Sequence, residues 1–131
     1  MTKRIECCEI CLNYPTELHH IIFRSECKAL ENCELNHIYL CAEHHRGTYG
    51  VHGSKGNSLN KKLKLDFQNK LELLFDKEYF TKTETGQALG ISERATNSLC
   101  KTILSDKGKF YRQDVIRACM GGKMILEKEV K

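Results

Sequence analysis

Long apolar runs are absent from this chain of 131 residues. No stretch approaches the ~20 consecutive apolar residues of a membrane-spanning helix. The opening residues, MTKRIECCEIC, are polar and then cysteine-rich, unlike the apolar leader of an exported protein. Together these absences suggest a cytoplasmic protein with reduced thiols and no membrane partner. Proline occurs once, at Pro15, where it is expected to turn the chain ahead of a strand. There is no glycine-rich nucleotide loop, no internal repeat and no low-complexity tract, which argues against phosphate-loop chemistry and stacked-repeat architectures. The length suits one compact domain, or two small units sharing a spine.

Histidine and cysteine, by contrast, are crowded. All six histidines and six of the eight cysteines lie between Cys7 and His52, too dense a clustering for packing alone. A secreted chain could use the cysteines as disulfides, but a reducing compartment and interleaved histidines favour metal. The formal net charge of +4 is unevenly placed: residues 1–53 carry five Lys/Arg against seven Asp/Glu, and residues 54–131 sixteen against ten. A basic segment of this kind fits a polyanionic partner or a solvated helix surface.

Cys8-x2-Cys11 and Cys41-x2-His44 are two knuckles separated by a long insert. In a C-x2-C turn both sulfurs reach one tetrahedral ion, with Zn–S near ~2.3 Å, and four protein ligands leave no position for substrate. This spacing predicts a structural zinc. Cys7 could replace Cys8, and His45 could replace His44. Cys27 and Cys33 lack knuckle spacing and read as buried or loop thiols.

Between the knuckles, Glu17 to Phe23 (ELHHIIF) is β-branched and apolar enough for a strand. A loop from Arg24 to Cys33, an extended piece at His37–Leu40 and a helix from near Ala42 should follow. His37 is set aside, because it follows Asn36 on a strand whose neighbours point to opposite faces. The order Cys-x2-Cys, His19-His20-Ile21, Asn36, Cys41-x2-His44-His45 resembles the HNH endonucleases and their ββα-metal fold. The resemblance implies His20 as general base, with His19 and His45 holding a catalytic divalent cation (Mg2+, Mn2+ or Zn2+). It further implies that Asn36 fixes the loop or the base. His52, brought back by a glycine-rich loop, is a further candidate ligand, since Tyr49 stands where related chains often place one. On a regular strand His19 and His20 point apart, so a twist or bulge is expected to bring both to one phosphate.

Gly53–Asn57 reads as a flexible break, after which Ser58 should cap a helix reaching about Phe75. Its apolar stripe is Leu59, Leu63, Phe67, Leu71, Leu74 and Phe75. Thr81-x-x-Glu84 is a capping box, Gly90 a stop, Ser92 a second cap, and Asp106-Lys107-Gly108-Lys109 a tight turn. Ala95, Leu99 and Ile103 should face inward, Gln113 to Met120 should be helical, and the tail LEKEVK should fray. Residues 80–122 resemble the small winged helix-turn-helix of phage excisionases. That resemblance implies a second helix in the major groove, with Arg94, Thr96, Asn97 and Lys101 outward. Arg46, Lys61 and Lys62 are further candidate contacts to nucleic acid. A helical cap or a dimerisation piece is the alternative for this unit.

The reading is an α+β protein: a zinc-stapled HNH head over residues 1–57, a long amphipathic spine helix within 58–78, and a winged helix-turn-helix tail over 79–131. The expected activity is metal-dependent hydrolysis of double-stranded DNA, as a nicking monomer or a double-strand-cutting homodimer. A non-catalytic zinc-dependent DNA-binding regulator is the alternative, and an RNA-directed nuclease a weaker third.

Overall fold

A computed structural model describes residues 6–130; residues 1–5 and Lys131 lie outside the description. The architecture is mixed α+β, with two small antiparallel sheets and a set of helices. None of the described helices is long and apolar enough to cross a membrane. The first sheet pairs β1 (Glu17–His20) with β2 (His37–Leu40), placing His19 opposite Ile38 and His20 opposite His37. The strand ends at His20 rather than at Phe23. Ile21 still donates its N–H to Asn36 O at 2.9 Å, but Ile22 leaves the sheet for the core, where it is fully buried.

Asn36 makes that departure definite. It is buried in a short 3-10 turn, Glu34–Asn36, that precedes β2. Its Oδ1 accepts the Ile22 N–H at 2.7 Å, and its Nδ2 donates to Ile22 O at 3.0 Å and Leu30 O at 3.2 Å. An amide that donates and accepts at once closes both ends of the loop without titrating. The strand register is continuous through His19 and His20, so the expected bulge is absent. Two consecutive side chains on a regular strand take opposite faces.

After β2 comes the short helix α1 (Ala42–Arg46), none of whose residues is buried. Residues 47–56, expected in part to be a flexible break, are instead a run of interlocked turns. Gly53 lies against the Gly47 and Thr48 carbonyls, and a Cβ on Gly56 would fall 1.6 Å from Gly50 O. Only glycine permits that approach. The tight turn starts α2 (Asn57–Leu74) two residues early, with Gly56 as its N-cap and no side-chain cap, so Ser58 does not cap it. Leu63, Phe67 and Leu71 are buried as the stripe requires, with Gln68 beside them. Gln68 accepts the Ile125 N–H at 2.7 Å and donates to Ile125 O at 3.0 Å. With a 3-10 turn at Glu127–Glu129 and Glu129 paired to Lys61 at 3.4 Å, the described part of the tail is held rather than frayed.

The C-terminal unit follows its local signals closely. β3 (Tyr79–Thr81) leads into α3 (Lys82–Leu89), where Thr81 and Glu84 make the reciprocal capping box and Gly90 ends the helix at φ +67°. Ser92 caps α4 (Glu93–Cys100). β4 (Ser105–Asp106) and β5 (Lys109–Tyr111) form a hairpin whose two turn residues, Lys107 and Gly108, both have positive φ. That geometry matches the right-handed strand twist. β5 also pairs with β3, and α5 (Arg112–Cys119) completes the unit. Arg112 donates to Phe75 O at 2.6 Å and to Glu72 O at 2.8 Å, satisfying carbonyls at the C-terminal end of α2.

Thr81→Ala should cost about 1 kcal/mol of stability, the usual worth of an N-cap, with metal content unchanged; urea unfolding of the two proteins checks it. The Glu84 carboxyl, held at about 2 by Lys77 and then by the Thr81 amide, lies below its ordinary 4.5. A depressed acid contributes stability above its unfolded value and loses it as pH falls. Stability should therefore fall between pH 4.5 and 2 in both proteins, because Thr81→Ala keeps Lys77 and the Thr81 N–H that hold the Glu84 carboxylate.

Candidate metal centres

Cys8, Cys11, Cys41 and His44 bring one ligand atom each to within 4.8 Å of one another. The first knuckle is a tight turn, with Leu12 N–H donating to Cys8 O at 2.9 Å, and Glu9 ties it to β2 through Tyr39 O. The second lies at the start of α1. Cys8 Sγ is 3.6 Å from His44 Nδ1, Cys11 Sγ is 3.7 Å from Cys41 Sγ, and Cys41 Sγ is 3.2 Å from His44 Nδ1. A tetrahedron with bonds of ~2.3 Å has edges of ~3.7 Å, so the spacing fits one zinc ion. It is far too long for a disulfide, and all eight cysteines are free. Burial pushes the Cys8 thiol up, but the amides of Cys41, Cys11 and Ile10 outweigh it and draw the group down to about 6. A thiolate at neutral pH is the metal-binding form. Cys7 is exposed and outside the group, and His45 belongs elsewhere.

His19, His45 and His52 form the second group. His19 is buried on the inward face of β1, and its Nε2 has no hydrogen-bond partner. An orphaned buried imidazole nitrogen is costly unless something binds it. Ring centroids lie 5.1 Å apart for His19–His45, 5.2 Å for His19–His52 and 4.8 Å for His45–His52. His52 reaches the group because the turns after α1 double back, its N–H donating to His45 O at 2.9 Å. Burial, then the neighbouring His45 and His52, pushes His19 down to about 3, and burial followed by His45 lowers His52. Imidazoles crowded around one point suit a cation. The groups share α1: His44 and His45 are consecutive, and each turns to a different one.

Glu17, not anticipated from the sequence, braces this group. Its carboxylate accepts from His45 Nδ1 at 2.7 Å and from Arg46 Nε at 2.9 Å. Arg46, then His45, hold the Glu17 carboxyl down to about 2. With Nδ1 occupied as a donor, His45 keeps its Nε2 lone pair for an ion, a common carboxylate–histidine–metal arrangement. Spacing could have signalled it, since Glu17 lies two residues before His19 and so on the same strand face. Glu17→Ala should weaken ion binding at the histidine group about 10- to 100-fold, read by competition with a chelating dye, while the zinc at the knuckles stays.

His20 occupies the opposite face of β1. Its Nε2 lies 2.9 Å from Glu31 O, and His37 Nε2 lies 2.7 Å from the same oxygen. A carbonyl only accepts, so both rings carry their proton on Nε2 and leave Nδ1 as a lone pair. His37, discounted from sequence, is thus the cross-strand neighbour of His20, 4.9 Å away between ring centroids. The alternation argument does not apply to this pair, because Asn36 lies in the preceding turn, outside β2.

The candidate nucleic-acid residues are scattered. Arg94, Lys101 and Lys62 are exposed, and Asn97 is half-buried. Thr96 is buried, donating to Ser92 O at 2.8 Å and packing on Gly86, so it cannot face outward. It falls on the α4 stripe with Leu99 and Cys100 rather than on the outer ridge. Arg46 and Lys61 are held by Glu17 and Glu129. No family model, curated protein or solved structure matches this chain.

Proposed function

We propose that the chain is a metal-dependent DNA endonuclease of the HNH type. In this reading β1, β2 and α1 form a ββα-metal unit, and residues 80–122 form a winged helix-turn-helix that contacts duplex DNA. One observation carries it. A buried, unpartnered His19 Nε2 stands beside His45 and His52, and the next residue, His20, is held in the tautomer of a general base. A structural zinc alone accounts for Cys8, Cys11, Cys41 and His44 and leaves these histidines without a task.

A divalent cation at His19, His45 and His52 supplies Lewis-acid stabilisation of charge on the phosphate and the leaving oxygen. An all-imidazole donor set suits Mn2+ or Zn2+ better than Mg2+. His20 Nδ1 takes a proton from water as the water oxygen forms its bond to phosphorus. The bond from phosphorus to the 3′ oxygen breaks and that oxygen takes a proton from solvent water, leaving a 5′-phosphate and a 3′-hydroxyl. The Glu31 carbonyl fixes the His20 ring throughout, and Asn36 fixes the loop that carries Glu31. β1 ends at His20, so in this reading the phosphate sits beyond the strand end, with His20 on one face of β1 and the His19, His45 and His52 group on the other. Arg94, Asn97 and Lys101 form the outward ridge of α4.

One centre cuts one strand, so a monomer nicks and a homodimer breaks both. The test is supercoiled-plasmid nicking by zinc-loaded protein with added manganese or magnesium, beside His20→Ala. Nicking that needs the added ion and is lost in the variant supports the reading. Duplex binding without cleavage under any ion favours a zinc-held DNA-binding regulator.

A further inference from the structure

The loop that holds His20 also forms the wall against which the C-terminal unit packs. Residues 28–30 lie on α4, Cys33 Sγ donates to Leu89 O at 3.1 Å, and Lys64 on α2 holds Glu26 at 2.6 Å. Along this seam runs an open groove of about 550 Å³ between the loop and α4, whose polar lining is Lys28, Glu31, Asn32, Ser92, Arg94 and Ser98. A second open groove, of about 660 Å³, meets it at Lys28 and is lined by Phe23, Arg24, Ser25 and Glu31. Lys28 and Arg94 are exposed, and among the described residues neither enters an ion pair. Glu31 is the only carboxylate in either lining, and Arg24 pairs with it at 3.3 Å. The net character of the path is cationic.

We propose that this seam is a DNA-backbone site, in which Lys28 and Arg94 take phosphates of the strand that passes from the His20 centre onto α4. The inference rests on the nuclease reading and adds a substrate geometry to it. Because the loop and α4 are packed together, the cut falls at a fixed offset from the bases beneath α4. Lys28 serves as a backbone contact and carries no sequence information. Arg24 and the hydroxyls of Ser92 and Ser98 complete a polar lining suited to phosphate oxygens.

The experiment measures binding of a fluorescent mixed-sequence duplex to the zinc-loaded, full-length His20→Ala protein over a range of salt. Lys28→Ala and Lys28→Ala/Arg94→Ala are added to it, with Lys70→Ala, an exposed change on α2, as the charge control. Each lost phosphate contact should lower the slope of log affinity against log salt by about 0.9. Lys28→Ala should therefore lose about one unit, and the double variant about two. In the otherwise wild-type protein, Lys28→Ala should blur the cleavage position on a defined duplex. Slopes that fall no further than with Lys70→Ala would overturn the seam while leaving the nuclease standing. A wild-type protein that neither binds nor cuts duplex would overturn both.

Discussion

Replacing Cys41 with alanine is expected to remove zinc from the protein and to unfold residues 7–52 with it. The sheet there pairs only four residues on each strand, and α1 buries none of its five. Two strands and a single turn of helix are marginal on their own in water. Structural zinc sites contribute about 10–16 kcal/mol of binding free energy at neutral pH. That matches or exceeds the ~5–15 kcal/mol net stability of a whole domain. Metal analysis should find the knuckle zinc gone, and limited proteolysis should cut between Cys7 and His52 while α2 and the C-terminal unit persist. Cys27→Ala, a change at a half-buried thiol outside the group, should keep its zinc. Normal folding of metal-free Cys41→Ala would refute the staple.

His20→Ala should abolish cleavage while leaving zinc content, fold and duplex binding in place. A general base contributes about 10²–10⁴ in rate, so the loss should sit in kcat rather than KM. The side chain is half-buried, and its main recorded contact is the Glu31 carbonyl, so the substitution leaves no buried partner unpaired beyond an oxygen that His37 still satisfies. His37 makes the experiment sharper. It presents a second imidazole in the same tautomer, 4.9 Å away. Cleavage that survives His20→Ala and disappears in His37→Ala would move the base to that residue. Survival in both would remove the base assignment from this face of the sheet.

The parts of this molecule that could be read from sequence are those set by local chemistry. Knuckle spacing brought out Cys8, Cys11, Cys41 and His44, because two ligands in a tight turn imply their own geometry. Thr81, Glu84, Gly90, Ser92 and the Lys107–Gly108 turn were equally legible, since each acts on its own neighbours. What the sequence hid depends on distant partners. The strand stops at His20 although Ile21 and Ile22 favour its continuation, because Asn36 draws Ile22 away from fourteen residues downstream. Glu17 and His37 matter through an antiparallel register that no local pattern displays. Ser58 was displaced as a cap by the close packing of Gly56 on Gly50, and Thr96 turned inward because Gly86 makes room for it. The glycines after α1 suggested a bend that returns His52, but the bend is locked by backbone contacts rather than loose.

His44 and His45 sit side by side on a helix that has no buried side chain of its own. On the proposed reading this gives assembly a direction. The cysteine-rich site must be filled first, because its ion is what keeps α1 in position to offer His45 to the other. A freshly synthesised chain with plentiful manganese but no zinc would lack one wall of the second site and stay inert. Zinc supply then acts as a licensing step, and a half-finished nuclease is kept from cutting the DNA around it.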